Sequence, residues 1–195
     1  GQPVIVVPGF CSPTVSTLRL RRFLTRQGFA PQSWTCGINV GPAPKVLPRL
    51  ERQIVEAAER SGRPVSLIGM SLGGTLAREA AKRCPQSVAQ VVTMCSPVRL
   101  PVMTPLAPLA SLAGLFWNDD ARRTMARVSE PPPVPVTAIV SPKDGVLDWR
   151  DSVPERSPLV EIVTIEGAHM TIGSNPEAQR IVAARLARSI SKDGV

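Results

Sequence analysis

Strand-like and helix-like patterns alternate along the whole chain, which predicts an α/β fold built on a mostly parallel sheet with helices on both faces. Two further observations agree. At 195 residues with 43% hydrophobic content the chain is long enough for one domain with a sizeable core, and it contains no internal repeat. A glycine-rich turn, Gly69-Met70-Ser71-Leu72-Gly73-Gly74, also joins a short apolar run to a run of good helix formers, as a parallel strand-to-helix connection requires.

The elements follow in order. Residues 4–8 (Val-Ile-Val-Val-Pro) read as a buried strand, and 14–27 as a helix with Leu18, Leu20, Phe23 and Leu24 on its apolar stripe. Residues 31–36 form a weaker strand pattern centred on Trp34. The stretch 44–61 is helical, with Leu47, Leu50, Ile54 and Ala57 on one face and Arg49, Arg52, Glu56 and Arg60 mostly elsewhere. A strand over 64–69 leads through the turn into a helix ending near Cys84, kept slim by Ala77, Ala80 and Ala81. Strands follow at 88–94, 134–140 and 159–165. Asn175-Pro176 is a helix start, with Asn175 as N-cap and Pro176 in the first turn of a helix running to about Ser191. Residues 98–133 break the rhythm. This insertion is rich in Pro, Leu and Ala up to Trp117, then charged, and ends in three prolines. It reads equally as a pair of short surface helices or as a cap over an apolar pocket.

Composition narrows the function classes. The net charge is +8, from 23 Lys and Arg against 15 Asp and Glu. The arginines are scattered over polar helix faces, and no nucleic-acid-binding module accompanies them, so no nucleic-acid partner is expected. The four cysteines lie far apart at 11, 36, 84 and 95, and a single histidine cannot complete a typical zinc cluster, so no metal site is expected. Cys84 and Cys95 fit buried free thiols. No stretch reads as a spanning helix, since Pro101, Pro105 and Pro108 interrupt the longest uncharged run; the residues before the first strand are not expected to be a signal peptide, and the start at Gly1 leaves the compartment open.

The chemistry concentrates at four loops, each following a strand. Gly69-Met70-Ser71-Leu72-Gly73 has the spacing of a nucleophile elbow, in which a serine stands on a sharp turn and flanking glycines let strand and helix cross closely. The competing reading makes Ser71 a helix N-cap. A serine hydroxyl needs a base to take its proton, and the only imidazole is His169, in Gly167-Ala168-His169 after the last strand. An orienting carboxylate is available in Asp144, a few residues beyond the strand at 134–140. Asp148 competes but lies farther from the strand end, and either residue could equally serve a turn or a cap. Two backbone N–H groups are expected to stabilise an oxyanion: Leu72, directly after Ser71, and Phe10, in the loop Pro8-Gly9-Phe10-Cys11, with Cys11 as second choice for the latter. Met70, Met170, Leu106, Leu109 and Leu112 are expected to line the substrate pocket.

Through Pro8-Gly9-Phe10, the elbow, Ser141-Pro142-Lys143-Asp144 and Gly167-Ala168-His169, the chain resembles the α/β-hydrolase superfamily, and its small bacterial lipases and esterases in particular. The resemblance implies a minimal form of that fold, with about six strands and the first two strands of the larger family sheet missing. It departs from many family lipases in having Pro8-Gly9 where they carry His-Gly, which bears on the oxyanion donor and not on the triad. It implies a serine carboxylester hydrolase needing no cofactor and acting on a small-molecule or lipid ester, with transient contact to a lipid interface. An acyltransferase or thioesterase would use the same residues, and a non-catalytic binding protein on the same fold is a third class.

Overall fold

The computed structural model describes residues 1–99, 104, 108 and 119–190. Among these, six strands form one sheet: β1 (Pro3–Val7), β2 (Ala30–Ser33), β3 (Val65–Met70), β4 (Val88–Met94), β5 (Val136–Val140) and β6 (Val160–Thr164). Their order is β2-β1-β3-β4-β5-β6 and every neighbouring pair is parallel. The helices are α1 (Leu18–Arg26), α2 (Val46–Ser61), α3 (Leu72–Arg83), α4 (Asp119–Ala126) and α5 (Pro176–Ile190). This is the expected α/β architecture of six parallel strands with helices around them.

The alternation of side chains along β1 divides the core in two. Ile5 and Val7 pack with Leu47, Leu50 and Ile54 of α2 and with Leu76, Ala77 and Ala80 of α3. Val4 and Val6 face the other way, onto Leu20 and Leu24 of α1 and Ala178, Val182 and Leu186 of α5. All five residues of β1 are buried, so a continuous apolar run is what this doubly covered strand needs. Leu50 and Ile54 are fully buried, and each side chain contributes about 1.5–3 kcal/mol by leaving water.

The register brings distant segments to one edge. Val7 pairs with Gly69, Met70 with Met94, Met94 with Ile139, and Val140 with Thr164. The carboxyl ends of β1, β3, β5 and β6 therefore open onto the same rim, where ligands bind in open parallel sheets.

Two elements differ from the sequence reading. The helix expected over 14–27 begins as a 3-10 turn, Thr14–Thr17. There the Ser16 and Thr17 hydroxyls donate to the Pro13 and Thr14 carbonyls, so local side-chain bonds compete with the α ladder. The second strand stops at Ser33, and Trp34 lies just beyond it, 2% exposed. Trp34 packs into the α2 side of the core, and its indole N–H donates to the Gly37 carbonyl at 2.8 Å. Asn175 caps α5 as expected, its Oδ1 accepting the N–H of Glu177 at 2.8 Å and of Ala178 at 3.2 Å. Residues 100–103, 105–107 and 109–118 of the 98–133 insertion, with Leu106, Leu109 and Leu112, lie outside the described residues. No helix among the described residues is long and apolar enough to cross a membrane.

Candidate active site

Ser71 follows β3 and precedes α3, and its backbone sits at φ 51° and ψ −130°. A non-glycine residue in that region carries strain of about 1–3 kcal/mol and persists only where its surroundings fix it. Here the Ser71 N–H donates to the Met94 carbonyl and the Ser71 carbonyl accepts from the Gly74 N–H, both at 2.9 Å. The glycines are needed for close approach. A Cβ at Gly69 would lie 2.3 Å from Gly74 Cα, and one at Gly73 would lie 2.3 Å from the Pro8 carbonyl oxygen. Ser71 makes no side-chain capping bond to α3. Its hydroxyl is therefore not committed to the cap role, and the residue lines a cavity of about 480 Å³ together with His169.

His169 opens a 3-10 turn (His169–Ser174) after β6, and Asp144 sits in the loop after β5. Their side chains meet: His169 Nδ1 lies 2.7 Å from Asp144 Oδ2. Both are buried, at 8% and 3% exposure. The other carboxylate oxygen of Asp144 accepts the N–H groups of Val146 at 2.9 Å and Leu147 at 2.7 Å. Burial by itself raises the pKa of this carboxyl. The bond from His169, the two N–H donors and the imidazole's charge outweigh burial and hold the pKa below its ordinary value. The carboxylate is thus ionised near neutral pH. An ionised carboxylate accepts only, so in the neutral imidazole the proton sits on Nδ1 and Nε2 carries the lone pair.

Asp148, the alternative acid, lies elsewhere. It is exposed and caps the turn Trp149–Ser152, accepting the Arg150 N–H at 3.0 Å.

Of the two expected oxyanion donors, Leu72 follows Ser71 directly and Phe10 lines the same cavity as Ser71. Leu72 is the first residue of α3, where backbone N–H groups have no helical partner and the helix dipole favours negative charge. In the loop after β1, the Gly9 carbonyl accepts from Ser12 N–H at 3.2 Å. A trans peptide points its N–H opposite its C=O, so the Phe10 N–H is turned away from that bond. Neither Phe10 nor Leu72 N–H has a hydrogen-bond partner among the described residues. The second choice, Cys11, has its N–H engaged by the Asn39 carbonyl at 2.7 Å.

Met70 and Met170 both line the cavity, and Met170 is 78% exposed at its mouth. The rim also holds Arg19 and Ser16, which the sequence did not single out.

Two other neighbours were missed as well. Ser141, fully buried, accepts the Gly167 N–H at 3.0 Å and donates to the Gly167 carbonyl at 2.6 Å, which ties the Asp144 loop to the His169 loop. Cys95, 1% exposed at φ 47°, sits beside the Asp144 carboxylate. Position alone marked Ser141, the first residue after a strand. Nothing local marked Cys95.

Cys95, Asp144 and His169 present ligand atoms within 4.8 Å of one another. A cation there would need the thiolate. Burial, the Asp144 charge and a hydrogen bond to Asp144 all push the Cys95 thiol far above its ordinary pKa. Both Asp144 oxygens are already occupied by the imidazole and two N–H groups. The donor set fits a hydrogen-bonded acid–imidazole pair better than a metal centre.

A family model described as the alpha/beta hydrolase family matches residues 4–190. No curated protein matches the chain. Among solved structures, the chain is similar to alpha/beta hydrolase domain-containing protein 10 from mouse, at 17% identity and a TM-score of 0.64 over 97% of this chain and 90% of that one. It is also similar to a monoacylglycerol lipase from Paleococcus ferrophilus, at 16% identity and a TM-score of 0.64 over 97% and 96%. A deformylase from Pseudomonas putida S16 gives 16% identity and a TM-score of 0.62 over 94% and 92%. At these identities the likeness concerns the fold.

Proposed function

The chain belongs to the alpha/beta hydrolase family, and on that premise we propose that it is a serine hydrolase cleaving carboxylic esters through an acyl-enzyme. The observation that carries this reading is the hydrogen-bonded His169–Asp144 pair, 2.7 Å apart, whose imidazole shares one cavity with Ser71. Ser71 Oγ attacks the ester carbonyl while His169 Nε2 takes the hydroxyl proton. The tetrahedral oxyanion is met by the N–H groups of Phe10 and Leu72. His169 then protonates the leaving alcohol, and the ester C–O bond breaks to leave the acyl group on Ser71. Water enters, gives its proton to His169, and attacks the acyl carbonyl; Ser71 leaves with that proton and the acid is released. Asp144 holds the imidazole in the needed tautomer throughout and stabilises its charged form.

The methionines at the cavity and the exposed Met170 at its mouth favour an ester with an apolar part, either a small molecule or a lipid presented at an interface. The test is hydrolysis of p-nitrophenyl esters, together with labelling of Ser71 by a fluorophosphonate. Ser71→Ala and His169→Ala should each lower kcat by more than about 10³-fold. Full turnover in His169→Ala would overturn the reading, because no second histidine exists to replace it.

A further inference from the structure

Asn39 stands in the loop after β2 and contributes no group to the constellation above. It is fully buried, while its apolar neighbours Ile38 and Val40 are 57% and 41% exposed. This reverses the usual preference, since an amide goes inside only where hydrogen bonds meet it. Four bonds do so. The side-chain Nδ2 donates to the Pro8 carbonyl at 2.7 Å, and Oδ1 accepts the Gly41 N–H at 2.9 Å. The backbone carbonyl accepts the Cys11 N–H at 2.7 Å, and the backbone N–H donates to the Ser12 carbonyl at 3.3 Å. Three of the four reach Pro8, Cys11 and Ser12, the residues that bracket Gly9-Phe10.

We infer that Asn39 is the positioning residue of the oxyanion hole: it holds the loop 8–12 so that the Phe10 N–H is aimed into the cavity beside Ser71. The inference rests on the ester-hydrolase reading given above. The Pro8 carbonyl is trapped between the Asn39 amide and Gly73, which has no Cβ and so lets that oxygen approach. On the far side of Phe10, Cys11 is held at φ 52° with its N–H tied to Asn39. That backbone region is unfavourable to a cysteine, and it persists only where neighbours fix it. The Gly9 carbonyl is turned to Ser12 and the Cys11 N–H to Asn39, so the Phe10 N–H between them points away from both bonds. An oxyanion donor works only when pre-aimed at the place where charge develops. Asn39 suits this work because it is neutral and offers a donor and an acceptor at once. An aspartate in its place would keep the Gly41 bond, lose the donor to Pro8 and set a negative charge behind the oxyanion loop.

The experiment begins with the wild-type chain. If it neither cleaves p-nitrophenyl butyrate nor labels with fluorophosphonate, the hydrolase reading falls and takes this inference with it. If it does both, Asn39→Ala and Asn39→Asp are compared with it for kcat, KM and inhibition by an alkyl boronic acid, whose adduct places an oxygen in the oxyanion hole. Folding is checked by circular dichroism. The expected result is a kcat lower by about 10²-fold in a folded variant, KM within about threefold, and boronate affinity lost by a comparable factor. A role in folding alone would shrink the active fraction and leave boronate affinity unchanged. The inference is overturned if a folded variant keeps kcat, if KM rises while kcat holds, or if neither variant folds, which assigns Asn39 to stability.

Discussion

His169 and Asp144 are joined twice. The side chains meet at 2.7 Å, and the His169 backbone N–H also donates to the Asp144 carbonyl at 2.9 Å. The second bond fixes where the imidazole starts and the first fixes how it turns. Two loops 25 residues apart in sequence thus hold a single acid–imidazole unit.

Replacing Asp144 by Asn separates these two bonds. The backbone bond survives, while the amide can donate to Nδ1 and favour the wrong tautomer. For the proposed reaction kcat is expected to fall by about 10⁴-fold with KM little changed. Steady-state kinetics on a p-nitrophenyl ester checks this, and a loss below tenfold would remove Asp144 from its assigned role.

The depressed pKa of Asp144 has a consequence for stability. A carboxyl whose folded pKa lies below its unfolded value, about 3.9, stabilises the fold above that unfolded value. The contribution is lost as pH falls through the folded pKa. The melting temperature of the wild type should therefore fall more steeply than that of Asp144→Asn as pH drops below about 4. Parallel curves between pH 3 and 7 would contradict this.

The four thiols should differ in reactivity. All are free; Cys11 is exposed, and Cys84 and Cys95 are buried. Burial pushes the Cys84 thiol up to about 11, and Cys95 shifts upward further still. The thiolate is the reactive form. With a disulfide reagent at pH 8, Cys11 should react first, and Cys84 and Cys95 only after denaturant is added. Mass spectrometry of the modified peptides reads the order directly.

Gly69→Ala tests the elbow. The added Cβ would lie 2.3 Å from the Cα of Gly74, a backbone atom that cannot swing aside. Such overpacking costs about 1–3 kcal/mol, and Ser71 would be displaced as well. Urea denaturation should show the midpoint falling, with a proportionately larger loss of turnover.

The sequence carried most of the frame because its signals were local. Gly69, Gly73 and Gly74 mark a crossing of strand and helix, and their spacing survives in one dimension. Asn175-Pro176 announces a helix in the same way. Trp34 misled because an aromatic residue beside a short strand looks like part of it, when it is the core behind α2 that claims the side chain. Asn39 and Cys95 were illegible for a different reason. Each acts on residues more than 25 positions away, and only the parallel register of the sheet brings those residues near. The Asp144 and Asp148 alternatives stayed open for the same reason, since only the folded loop places one of them against His169.

The contact between Gly73 and the Pro8 carbonyl separates what is fixed in this molecule from what is free to vary. Backbone meeting backbone leaves no side chain to exchange, so the elbow and the loop 8–12 are held against each other there. The cavity rim is made differently, from the side chains of Ser16 and Arg19 on one helical stretch and Met170 on another. If the proposed ester hydrolysis holds, evolution, or a designer, can rewrite that rim residue by residue and redirect the activity to new esters while the centre underneath keeps its shape.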